Sequence, residues 1–263
     1  MLHRNKILAS SFFSLVLVVA GCGGGGSSNP MPDGGDVVQP DLAMAAMCPM
    51  RAVSCTDQSV QDLSLFKKAS NRVVENMADG SGFLSHVDAT GGGFTPNESF
   101  VYAKFTDTGL VRVDVGDEAA FNSRDWDIAF RRFQARLNSG VSGPGCVGGA
   151  ELSNVKYESL NAVPQGTTFE SETYYDDQCK LQMDQSGIGA PGTILSDYWR
   201  YSNGMCVQMT GNVYALSLGD GRKVKLTITA YYPVAAQAEC DAKGTVPQGT
   251  AGGQVRFRWA FLK

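Results

Sequence analysis

Histidine is almost missing from this chain: His3 and His86 are the only two in 263 residues. A Ser-His-Asp site, a histidine zinc site or a histidine general base would each have to rest on His86, because His3 falls in a segment read below as a removed signal. A lone histidine between Ser85 and Val87 is read as a surface or hydrogen-bonded strand residue rather than a ligand. No G-x-S-x-G nucleophile motif occurs. No C-x-x-C pair occurs either, which removes the usual thiolate zinc spacing. The longest apolar stretch, Ile7 to Ala20, is too short to cross a bilayer comfortably. Basic residues number 22 against 26 acidic ones and form no stripe, so nucleic acid is not an expected partner. These absences turn the reading away from an enzyme and toward a binding protein.

The N-terminus reads as an address. Arg4 and Lys6 precede the apolar run, and Val19-Ala20-Gly21-Cys22 closes it. A charged start, short apolar core and small-residue exit describe an export signal over residues 1–21. The cysteine after Ala-Gly resembles a bacterial lipobox, which implies cleavage before Cys22 and lipidation of its thiol. Several acyl chains there would anchor the protein stably to a membrane. Loss of Arg4 and Lys6 moves the formal charge from −4 to −6, a mildly acidic, soluble surface. Residues 22–47 are rich in Gly, Ser and Pro and read as a flexible tether. Gly23 in place of an aspartate after the cysteine points to the outer membrane, on its periplasmic or cell-surface face.

Six cysteines remain: Cys48, Cys55, Cys146, Cys179, Cys206 and Cys240. An even number in an exported chain reads as a disulfide set, with about 15 pairings open. The expectation is a small Cys48–Cys55 loop at the base of the tether, with Cys146 joined to Cys179 and Cys206 to Cys240.

Residues 48–81 read as an N-terminal extension. Val60, Leu63, Phe66, Ala69, Val73 and Met77 recur at steps of three and four, which predicts a peripheral helix over Ser59–Met77 with Gly80 as its stop. From Gly82 the period becomes two. Phe83 to Thr90 is a strand, and Phe100 to Val115 a hairpin turning at Asp107-Thr108-Gly109. Glu151–Leu160 and Thr167–Tyr175 are weaker strands; Tyr198–Tyr201, Val207–Met209 and Asn212–Leu218 are better ones. Asp220-Gly221 marks a hairpin turn. After it Val224, Leu226, Ile228 and Ala230 share one face. Pro233 to Gly253 reads as a loop. In the last strand Val255, Phe257, Trp259 and Phe261 share one face and Arg256 and Arg258 the other. Residues 82–263 are therefore expected to form an all-β antiparallel sandwich or barrel-like domain, with at most one or two short peripheral helices.

The most informative stretch is Trp126 to Gly145, WDIAFRRFQARLNSGVSGPG. Its apolar residues fit a helix, or a strand whose parity changes at Arg131-Arg132, as a bulge would produce. The block resembles the signature of the HmuY family, bacterial surface lipoproteins that bind haem, with its Trp-Asp-Ile-Ala opening, arginine run, Leu-Asn and Ser-Gly-x-Gly loop. Family members are β-proteins, so the resemblance favours a bulged strand over Trp126–Leu137. It also implies a cleft holding haem between two axial ligands, histidine in most members and methionine in some. The two family histidine positions are Leu181 and Asn203 here. Met183 and Met205, each two residues further on, keep strand parity and are the candidate ligands, with Met209 beyond. Core filling is the competing use of these methionines. Arg131, Arg132 and Arg136 are candidates for bidentate contacts to haem propionates, or else solvated strand residues. Tyr174, Tyr175, Tyr198 and Tyr201 line an aromatic cleft, ligate iron as phenolate, or pack on the sheet. The implied function is capture of haem or a related porphyrin for uptake, in concert with an outer-membrane haem receptor. The alternative is a non-haem cell-surface binding or adhesion module on the same scaffold. Substituting Cys22→Ser should abolish incorporation of labelled palmitate and move the protein from the membrane to the soluble fraction on cell fractionation. Unchanged labelling would refute the anchor.

Overall fold

The computed structural model describes residues 48–92, 95–186, 188–202 and 206–263. The signal, Cys22, the tether and Met205 lie outside the described residues. In chain order the strands are β1 (Val74–Asp79), β2 (Gly82–Asp88), β3 (Val101–Thr106), β4 (Gly109–Val113), β5 (Ile128–Arg131), β6 (Gln134–Leu137), β7 (Gly148–Leu152), β8 (Trp199–Ser202), β9 (Cys206–Met209), β10 (Val213–Ser217), β11 (Lys223–Ala230) and β12 (Gln254–Leu262). Three short helices join them: α1 (Thr56–Asp62), α2 (Asp117–Ala120) and α3 (Val234–Lys243).

Two antiparallel sheets face each other. One has six strands in the order β1-β2-β12-β11-β10-β7, the other four in the order β4-β3-β5-β6. The period-two pattern decides which side chains meet. Val224, Leu226 and Ile228 of β11 and Val255, Phe257 and Trp259 of β12 pack against Val101, Ala103 and Phe105 of β3 and Ile128 and Phe130 of β5 in one buried core. Phe105 meets Trp259 edge-on at 4.8 Å between centroids, and Trp259 Nε1 donates to the buried Ser85 hydroxyl at 2.8 Å. Shared burial between aligned sheets makes this a sandwich rather than a closed barrel. The hairpin of β8 and β9 stands apart as a two-stranded sheet.

Several expectations give way here. Val74–Asp79 is an exposed edge strand paired with β2, not the end of a helix; only Thr56–Asp62 is helical, and Gly80 (φ 61°) serves the β1–β2 turn. Tertiary pairing overrides the weak helical period there. Trp126–Leu137 is not one bulged strand. It is a tight hairpin in which Ile128 pairs with Leu137 and Arg131 with Gln134, and the parity change at Arg131-Arg132 is the turn itself. Arg132 takes φ 56° to make that turn. Thr167–Tyr175 is irregular apart from isolated bridges at Glu170 and Tyr175. The 233–253 loop contains α3, which with α2 makes two short α-helices among the described residues of 82–263, within the number expected. Cys206–Cys240 forms as expected, but the other pairs are Cys48–Cys146 and Cys55–Cys179. The short Cys48–Cys55 loop does not form because each cysteine pins the N-terminal segment to a different loop of the domain.

The outer face of the small sheet is also buried. Alternation turns Tyr102, Ala129, Arg131 and Arg136 outward, where Leu63, Leu65, Phe121, Val141, Tyr174 and Tyr175 cover them. Arg131 and Arg136 are 2% and 1% exposed, and Asp117 is wholly buried between them at 3.8 and 3.9 Å. Both guanidiniums lie over the Phe100 ring, 4.3 and 4.2 Å from its centroid, and Arg136 is further ringed by Tyr102, Phe121 and Trp126. Asp117 accepts from the Phe100 and Phe66 N–H groups and from the Tyr102 hydroxyl. Arg131 donates to the carbonyls of Leu63 and Ser64. Burial pushes the Arg131 pKa down to about 10 against the pull of Asp117, which leaves it charged at neutral pH.

A second buried carboxylate, Glu172, accepts the N–H groups of Leu137 and Ile194 at 2.9 and 3.1 Å. Burial, opposed by these two bonds and Arg136, lifts its pKa to about 7.

Removing one member of a buried ion cluster strands the others, so Asp117→Ala should cost about 3–5 kcal/mol in urea denaturation; a loss near zero would show the arginines need no counter-charge. Glu172 has a raised folded pKa, so its contribution is full below about pH 4.3 and is lost as pH rises through about 7. Urea midpoints should therefore fall from pH 5 to pH 8 more steeply in the wild type than in Glu172→Gln, and parallel profiles would contradict this.

Candidate functional site

The turn of the β5–β6 hairpin reaches one end of the sandwich. Arg132 and Phe133, the end of β11, the hairpin of β8 and β9 and the loop after α3 enclose a cavity there of about 360 Å³. That volume lies within the range of about 300–1,000 Å³ for small-molecule sites. Its walls include Phe133, Ile188, Tyr201, Val207, Tyr231 and Tyr232.

Each wall is fixed from outside. Phe133 packs on Trp199 of β8 at 5.2 Å between centroids, and Tyr231 meets Tyr232 edge-on at 4.8 Å. The buried Gln237 of α3 ties three pieces together. Its Oε1 accepts the N–H groups of Tyr231 and Tyr232 at 2.9 and 3.2 Å, and its Nε2 donates to the Val207 carbonyl at 3.0 Å. The Val207 N–H donates to the Tyr232 hydroxyl at 3.2 Å. The Cys206–Cys240 disulfide fastens β9 to α3. Gly252 is required at the rim, because a Cβ there would lie 2.5 Å from Tyr231 Cε1. Burial raises the pKa of both Tyr231 and Tyr232, so both phenols are neutral.

Arg132 is the cation of this lining. Its N–H donates to Ala89 O at 2.6 Å and its Nη1 to Gly92 O at 3.0 Å, while its buried Nε has no partner among the described residues. A flat ring can lie between these aromatic walls, and an anionic arm on that ring can pair with the Arg132 guanidinium.

The predicted site residues are only partly brought together. Arg132 and Tyr201 line the cavity. Arg131 and Arg136 do not: strand alternation turns them to the opposite face of the small sheet, where they are buried around Asp117, so neither meets an external anion. Met183 is 61% exposed, and Met209 packs against the main core from β9 beside Trp199; neither belongs to the lining. Met205 and Asn203 lie outside the described residues. Tyr198 is buried, donating to Phe133 O at 2.8 Å, and Tyr174 and Tyr175 cover the small sheet's outer face. Tyr231, Tyr232 and α3 were not foreseen. The one signal was the Tyr-Tyr-Pro run closing β11, and a register shift between Ile228 and Ala230 hides which way it faces. Among the described residues no three His, Cys, Asp or Glu side chains gather as a metal site, and no helix is long and apolar enough to cross a membrane.

A β-sandwich with an aromatic end cavity and one inward cation is the architecture of a ligand-binding protein. The chain belongs to the HmuY family, whose model, described as HmuY protein, matches residues 96–243. No curated protein matches it in sequence. Solved structures similar to it include a Bacteroides fragilis protein described as a candidate lipoprotein, with 17% identity, 70% of this chain and 93% of that one covered, and a TM-score of 0.45. Another, from Bacteroides vulgatus, is described as a candidate HmuY-like heme binding protein, with 17% identity, 73% and 97% covered, and a TM-score of 0.44. A third is the apo HmuY analogue of Tannerella forsythia, with 14% identity, 74% and 98% covered, and a TM-score of 0.40.

Proposed function

We propose that this chain binds haem or a related porphyrin at the aromatic end cavity, as an outer-membrane-anchored lipoprotein that gathers it for uptake through an outer-membrane haem receptor. Family membership supports the reading, and one observation carries it. Phe133, Tyr201, Tyr231 and Tyr232 surround a cavity whose lining carries one cation, Arg132. The lining suits a flat ring bearing carboxylates. Iron, when bound, supplies the metal centre that axial ligands tune. Among the lining side chains the Tyr201 hydroxyl would be the donor to iron, and Met205, which lies outside the described residues, is the thioether candidate. Met183 and Met209 are weaker ones for the reasons of position given above. Arg132 would hold a propionate, and Gln237 and the Cys206–Cys240 bridge would keep the tyrosine walls in place.

Titration of the purified protein with haem should give a saturable one-to-one Soret change. Arg132→Met should weaken binding about tenfold or more, the loss of one charge-assisted hydrogen bond of roughly 1.5–3 kcal/mol. Tyr201→Phe and Met205→Ala, singly, should separate phenolate from thioether ligation by the shift of the Soret band, with Met183→Ala as the comparison. No saturable change would overturn the haem reading and favour the non-haem binding or adhesion module.

A further inference from the structure

The ends of the Trp126–Gly145 block build a second, larger cavity of about 470 Å³, to which the proposed haem site makes no use. Trp126, Asp127 and Asn138 form its floor, Gly145, the Cys48–Cys146 disulfide and Val147 one wall, and Lys104 and the Gly219-Asp220 turn the other. These walls are tightly braced. Asn138 Nδ2 donates to the carbonyls of Ser123 and Trp126 at 3.0 and 2.8 Å, and its Oδ1 accepts the Gly145 N–H at 2.9 Å. A Cβ at Gly143 would lie 2.8 Å from the Trp126 ring.

Asp127 is 5% exposed, and its carboxyl takes one hydrogen bond among the described residues, from the Phe105 N–H to Oδ2 at 2.9 Å. The other charges around the cavity do not neutralise it. Asp220 is paired with Arg222 at 2.8 Å, Arg124 is held on the Cys48 carbonyl, Asp125 is exposed, and Lys104 makes no ion pair within 4 Å among the described residues. A nearly buried carboxylate with one donor is costly unless a cation or a further donor meets it. Burial accordingly raises its pKa to about 6, with the Phe105 bond and Lys104 opposing.

We propose that this cavity binds a small primary amine with an apolar body, the ammonium on the free oxygen of Asp127 and the body against the partly exposed Cys48–Cys146 disulfide. The complementarity is one nearly buried carboxylate at the base of a rigid-walled cavity whose charged lining residues, Lys104 and Arg124 against Asp125, Asp127 and Asp220, carry one net negative charge.

The probe is phenethylamine, with 3-phenylpropionate as its anionic counterpart of similar shape. Titration of the ¹⁵N-labelled protein at pH 7.5 should give saturable shifts of the Trp126 indole and Gly145 amide cross-peaks with the amine and none with the carboxylate. Asp127→Asn keeps the acceptor for Phe105 and should weaken the amine at least tenfold. Three results would each overturn the proposal: no saturable shift, equal binding by Asp127→Asn, or preference for the carboxylate, which would make Lys104 the determinant. Should Asp127→Asn fail to fold, the amine-against-carboxylate comparison on the wild type decides alone. Haem titration of Asp127→Asn should be unchanged, since the two cavities share no lining residue.

Discussion

The charge cluster of Asp117, Arg131 and Arg136 around Phe100 is the constraint on which this architecture depends. A four-stranded sheet in a sandwich ordinarily buries one face and shows water the other. Here the outward face carries two arginines that are buried all the same. Their charge can be kept from water only where a counter-ion, carbonyls and aromatic faces replace it. Asp117 provides the counter-ion, Leu63 and Ser64 the carbonyls, and Phe100, Tyr102, Phe121 and Trp126 the rings. Those partners come from the N-terminal segment, the region around α2 and the strand beneath. The cluster therefore recruits a third layer onto the small sheet, and the Cys55–Cys179 bridge fastens that layer in place.

The β5–β6 hairpin lies at the junction of these parts. Ile128, Phe130, Ala135 and Leu137 face the main core, while Ala129, Arg131 and Arg136 face the outer layer. With both faces held, its turn has little freedom. That turn presents Arg132 and Phe133 to the proposed porphyrin cavity, and the residues flanking the hairpin, Asp127 and Asn138, line the second cavity. A twelve-residue stretch thus contributes to the core, the buried charge cluster and both candidate sites. Its arginines divide by parity: the two on the strands serve the fold, and the one in the turn serves the cavity.

Some of this was legible in single residues. The alternation of Val255, Phe257, Trp259 and Phe261 announced the core face of β12, and Val224, Leu226 and Ile228 that of β11, because a half-buried strand must place every second side chain inward. Cys206 and Cys240 pair as expected. The Ser59–Met77 spacing misled, because a short apolar period of three and four is also met by a strand end, and pairing of Val74–Asp79 with β2 outweighs it. The arginines read as anion contacts misled for a related reason. Sequence shows that a charge is present but not whether a partner such as Asp117, 14 residues earlier than Arg131, will be folded against it. The tyrosine walls stayed hidden because a register shift in β11 reverses the faces just before Tyr231.

The amino-acid sequence by itself determined the class of the fold, the core faces of its long strands and the resemblance of the Trp126 block to its family. Side-chain period and turn residues are local properties, and a local pattern is enough to express them. Tertiary structure alone decided which of three neighbouring arginines faces a cavity, which cysteines meet across 98 and 124 residues, and that one block serves two separate cavities. Those outcomes depend on contacts between segments far apart in the chain, and no local period encodes which distant segment will arrive.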